Sequence, residues 1–171
     1  MIQPNPDFIE PVSDIPDFDG CTITRLAWVG ALHRAITLLK CQQRTDTENT
    51  QLLHAATTAV ECAAVCTASA DHPSRLIADL IHVQALTATG QLDKADRVGR
   101  RLWTRTTYHV QVRADLALTL VDCAKRRNDA IAIDHWSHLA AISIGVAEPS
   151  PARHQASVRL AVLGRSPHER A

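Results

Sequence analysis

Cys62 and Cys66 stand one helical turn apart, so on a helix both thiols leave the same side and together make two soft ligands suited to Cu(I) or Zn. His54 and His72 flank them, and Cys41 or Cys123 is free to approach from a neighbouring element. The opposing reading is equally physical. Cysteine is small and apolar, and this pair continues an apolar line from Leu52 through Ala55 and Ala59, so both thiols are also expected in a core. Arg97, Arg101 and Arg105 recur every fourth residue with Arg100 beside them, which on a helix makes a cationic ridge able to grip phosphates or an acidic segment. Trp103 and Tyr108 lie close enough to stack on bases, although Trp103 fits an apolar stripe better. Nine histidines, among them His135 and His138 beside Asp134, stand without a metalloprotease pair, a nucleophile elbow or a glycine-rich phosphate loop. No catalytic residue and no cofactor are therefore expected.

Composition narrows the partners. The 171 residues hold eighteen basic and eighteen acidic side chains, so no global field favours a polyanion and nucleic acid is disfavoured as a partner. The charge is uneven along the chain. Asp7, Glu10, Asp14, Asp17 and Asp19 come first with no Lys or Arg among them, leaving eighteen basic against thirteen acidic residues in the remainder. No apolar run is long enough to cross a bilayer, and the start lacks the basic and apolar regions of a secretory signal. With five cysteines in no framework spacing, the expected compartment is a reducing cytoplasm.

The elements that must position these groups are helices. Residues 1–20 hold four prolines among acids and are expected as an extended arm, with Phe8, Ile9, Val12, Ile15 and Phe18 giving it something to dock. Helices are then predicted over about 22–43, 47–70, 74–89, 92–105, 110–124, 129–142 and 152–163, from apolar residues at steps of three and four. Pro73, Gly90, the basic run 125–127 and the prolines at 149 and 151 punctuate them. Aromatics are only 4% of the chain, so small and branched aliphatics must fill the core. The expected fold is all-α: a right-handed stack of about seven antiparallel helices over 21–165, with a frayed tail at 166–171.

A shift of 35 residues places Val83 on Leu118, Leu86 on Val121 and Ala95 on Ala130, relating two helical hairpins. The run from Leu86 to Ala95 resembles the turn of a tetratricopeptide repeat, with Gly90 closing the first helix and Ala95 permitting close packing five residues later. The resemblance is best over 75–106, with a weaker copy over 110–142. It implies a concave surface facing a protein or peptide partner, with Gln84, Thr87, Asp115, Thr119 and Asp122 upon it, and an adaptor or regulatory role in a bacterium; self-association is the other use of such a surface. As solvated sides of amphipathic helices, the same polar residues need no partner. The stretch Val60–Cys66 also resembles the Cys-x-x-x-Cys helices of copper-binding four-helix bundles. Three readings therefore enter the structural description: an interaction module, a thiol-based metal binder using Cys62 and Cys66, and an anion binder using Arg97, Arg100, Arg101 and Arg105.

Overall fold

A computed structural model describes residues 22–147 and 149–164. The expected arm at 1–20 and tail at 166–171 lie outside the described residues. Within them the chain is all helical, without strands: α1 (Thr22–Lys40), α2 (Asp46–Cys66), α3 (Pro73–Ala88), α4 (Leu92–Arg105), α5 (Val110–Arg126), α6 (Ala130–Val146) and α7 (Pro151–Gly164).

Local chemistry sets the boundaries. Helix α1 stops at Lys40, short of the expected 43, because Arg44 reaches back and donates from Nη1 to the carbonyls of Cys41 at 2.8 Å and Leu38 at 3.1 Å. The Leu38 carbonyl also accepts the Cys41 N–H at 3.2 Å, and a guanidinium supplies several donors at once to carbonyls at a helix end. Helix α2 is capped by Thr45, one residue before the expected Asp46 or Thr47. Glu48 is the reason: its backbone N–H donates to the Thr45 hydroxyl at 3.2 Å while its carboxylate accepts from the Thr45 N–H at 2.7 Å, closing a capping box. The same helix ends at Cys66, not near Ala70. Thr67 turns extended, and both its amide and its hydroxyl donate to the carbonyl of Ala63, at 3.1 and 2.7 Å.

The two central hairpins share a turn, in a register different from the one their side chains suggest. Gly90 has φ +79 and Asn128 has φ +56, the two left-handed residues among those described. After each, a backbone N–H closes the motif: Gln91 donates to the Leu86 carbonyl at 2.9 Å, and Asp129 to the Ala124 carbonyl at 3.0 Å. These pairs are 38 positions apart, so the structural offset is 38 and not 35. Asn128, one of the few non-glycine types that tolerates this conformation, does what Gly90 does in the first hairpin; Lys125, aligned with Gly90 by the shorter shift, lies inside α5.

Successive helices pack on one another, and α1, α3, α5 and α7 also form a continuous row, each touching the next. Helices α2, α4 and α6 sit behind that row without close backbone contact to one another, α4 and α6 meeting through large side chains. Trp136 of α6 is buried against Leu102, Leu116 and Leu120 and meets Trp103 edge to face at 5.3 Å. Ala95 is fully buried between Leu86 and Cys123, the tight crossing its size allows.

At Gly99 of α4 an added Cβ would lie 2.6 Å from Cδ2 of Leu120, itself 1% exposed. Replacing Gly99 with Val is expected to cost about 1–3 kcal/mol through overpacking. Urea denaturation would check it, and the cost should shrink when Leu120 is shortened to Ala.

Candidate functional site

A concavity of about 670 Å³ is lined only by the helices of the front row. Helix α1 supplies Ile36, Leu39 and Lys40; α3 supplies Ile81, Gln84, Thr87 and Ala88; α5 supplies Thr119, Asp122 and Arg126; α7 closes it with Val158, Arg159, Val162 and Leu163. Its contributions come from the C-terminal halves of all four helices, where free carbonyls concentrate partial negative charge and cations such as Lys40 and Arg126 are favoured.

Four of the five residues expected on a concave face, Gln84, Thr87, Thr119 and Asp122, line this cavity. The two threonines form wall more than polar handle. They are 2% and 4% exposed, and each hydroxyl donates back along its helix, Thr87 to the Val83 carbonyl at 3.0 Å and Thr119 to the Asp115 carbonyl at 2.8 Å. Asp115 stands just outside the lining and accepts from Arg159 of α7 at 3.4 Å. Asp122 pairs with Arg126 at 3.2 Å, and Arg126 also donates to the Thr87 carbonyl at 3.1 Å, bridging α5 to α3. Sequence reasoning treats Arg126 as a helix-end cation and passes over Ile36, Leu39, Val158 and Val162. No motif joins these positions; only the four-helix row does.

The arginine ridge divides. Arg105 turns toward α3, donating to Asp79 at 2.7 Å and to the Ala70 carbonyl, with Asp71 at 3.5 Å. It serves as a tie between helices. Arg100 is held by Asp96 at 2.8 Å and lies 5.6 Å above the Trp136 ring. Arg97 and Arg101 remain exposed on α4, away from the concavity. Tyr108 is 93% exposed, while Trp103 is half-buried beneath the Arg113 guanidinium at 4.0 Å.

Cys62 is half-buried against Trp28, Ala59, Ala63 and Ala78, and Cys66 is 4% exposed. His54 is exposed, whereas His72 caps α3 by accepting the Ser74 N–H at its Nδ1. No group of three or more His, Cys, Asp or Glu able to hold a metal ion occurs among the described residues. Cys123 donates to the Leu92 carbonyl at 3.3 Å, and burial, with Asp96 nearby, pushes its thiol up. In the native protein a thiol-specific reagent should therefore modify Cys41 and Cys62 well before Cys66 and Cys123, as read by peptide mass mapping. Equal rates at all four would reject this burial.

Comparison with protein-family models, with curated proteins and with solved structures finds no match for this chain. No described helix is long and apolar enough to cross a membrane.

Asp115 gives the site a pH signature. Burial raises its carboxyl above the ordinary value, opposed by a hydrogen bond from Gln111 and by Arg159. The folded protein then holds a proton where the unfolded chain has released it, so this group's contribution to stability falls as pH rises from the ordinary carboxylate value through the raised one. Asp115→Asn should flatten that descent in a pH series of urea midpoints. Parallel curves for the two proteins would refute it.

Proposed function

We propose that this chain is a non-catalytic protein-interaction module whose front-row groove receives a segment of a partner protein. The observation that carries this reading is the make-up of the groove. Its lining includes the apolar Ile36, Leu39, Ile81, Val158 and Val162 together with the polar Gln84, Asp122, Arg126, Arg159 and Lys40. A mainly apolar lining with a few polar groups suits a peptide or a helix, where burial supplies affinity and the polar groups fix register. The chemistry for an enzyme is thin here: Asp122 is neutralised by Arg126, and the threonine hydroxyls are committed to their own helices.

The likeness to tetratricopeptide repeats belongs to the same reading. In its favour are two hairpins with matching left-handed turns at Gly90 and Asn128, a small residue at the first crossing, and an inner row built from the first helix of each hairpin. A cytoplasmic adaptor or regulator, acting through whatever it holds, is the role that follows.

The test is affinity capture at moderate salt with the full chain. Val158 is 49% exposed, so Val158→Asp should leave the fold intact while placing a charge in the groove. We expect one discrete protein, retained by the wild type and by Arg97→Ala/Arg101→Ala, and weakened at least about tenfold, roughly 1.4 kcal/mol, by Val158→Asp. Undiminished capture by Val158→Asp would remove the groove from consideration. Steeply salt-sensitive retention of nucleic acid, lost with Arg97 and Arg101, would replace the proposal with the anion-binding reading. Stoichiometric copper or zinc lost on Cys62→Ser/Cys66→Ser would replace it with the metal reading.

A further inference from the structure

Helix α6 is apolar on two opposite sides. Its 17 residues hold one carboxylate, Asp134, and no Lys or Arg. Trp136, Ala140, Ser143 and Ile144 are its buried side. Among the described helices it packs its backbone on α5 and α7 and meets α4 through Trp136 and Trp103. None of these covers the outer side, where Ile131 is 86% exposed, Ile142 50% and Val146 67%. A helix that is hydrophobic all round is ordinarily a buried one.

The outer residues form one stripe. Ile131, His135, His138, Ile142 and Gly145 follow one another at alternate steps of four and three, with Val146 beside the last, and all six are exposed. Alternation of that kind is the seam along which two helices pack. The stripe carries no acid, Lys or Arg, and Asp134 stands at its edge. A polyanion finds no cation on it, and the Lys and Arg by which surface helices hold to membranes are missing from the whole of α6.

The stripe complements itself. Ile131 and Val146 lie equally far from a point between residues 138 and 139, and so do His135 and Ile142. A second copy laid antiparallel about a two-fold axis at that point sets Ile131 against Val146 of the other copy, His135 against its Ile142, and the two His138 side by side at the axis. Gly145 leaves space at each end of the seam, since a Cβ there would meet nothing within 4 Å. Charge favours the same direction. The two Asp134 carboxylates end up about 14 Å apart along the axis at 1.5 Å per residue, whereas a parallel pair would bring them level.

We infer that two copies of this chain pair antiparallel through the outer face of α6, with His138 at the two-fold axis. Helix α6 lines no part of the front-row groove, so the pair presents two open grooves. The pairing is independent of what those grooves hold.

Sedimentation equilibrium of the full chain should give a mass that rises with concentration from that of one chain to that of two. Ile131→Glu should keep the helical circular dichroism and raise the dimer dissociation constant at least about tenfold. Ile23→Glu, on the exposed side of α1, should change neither. One-chain mass at every concentration, or association untouched by Ile131→Glu, overturns the inference. Growth beyond two chains also overturns it, because a head-to-tail contact does not close. Register is read by oxidising an equimolar mixture of Ile131→Cys and Val146→Cys chains and mapping the disulfides. Bonds between positions 131 and 146 should dominate, since the antiparallel pair holds like positions about 22 Å apart. Bonds between like positions in statistical proportion are the contrary result.

Discussion

Leu116, Leu118, Leu120 and Val121 of α5 are all buried to within 1% exposure, although they leave the helix in different directions. A helix that is apolar nearly all round is stable only when other elements cover it on every side. Helices α3, α4, α6 and α7 do so, and α5 touches all four. Ala114, Ala117 and Ala124 let those neighbours approach closely, and Gly99 of α4 goes further, bringing backbone against the end of Leu120. The two-row arrangement follows from this requirement. With α4 and α6 behind α5, and α3 and α7 beside it, the C-terminal part of one face is left uncovered, and there the groove forms.

Ion pairs stitch the row together without carrying it. Arg105 to Asp79, Arg126 to Asp122 and Arg159 to Asp115 are all partly solvated, so each contributes little alone. Two of them have a further role, because Arg126 and Arg159 also border the groove and are held there by their carboxylates. Asp122 and Asp115 thereby orient the two arginines beside the groove. The groove and the fold share the same polar contacts.

The ends of the row differ from its middle. Interior helices are covered on both sides, but α1 presents Ile23 and Leu26 to solvent alongside a helix face free of acid. A terminal helix in a stacked array needs a polar outer surface or a cover.

The sequence by itself determined the seven helices, because helical periodicity and the Pro, Gly and Asn punctuation act over four or five neighbours; the centres of all seven were legible. Their ends were less so: Thr67 and Arg44 act through hydrogen bonds whose geometry no spacing reveals, whereas the Thr45–Glu48 capping box has a spacing that the sequence does carry. The hairpin offset reads as 35 from side chains because similar aliphatics can be slid by nearly one helical turn, whereas the left-handed residues Gly90 and Asn128 fix it at 38. Gln84, Thr87, Thr119 and Asp122 were legible as one polar side of adjacent hairpins. Ile36 and Val158 were not, since 122 positions separate them and only the packing of α1, α3, α5 and α7 side by side brings both to one groove. Tertiary structure also decided that Arg105 would turn from the other α4 arginines to Asp79, because that carboxylate belongs to the helix alongside, whereas Asp96 holds Arg100 one turn away within α4 itself.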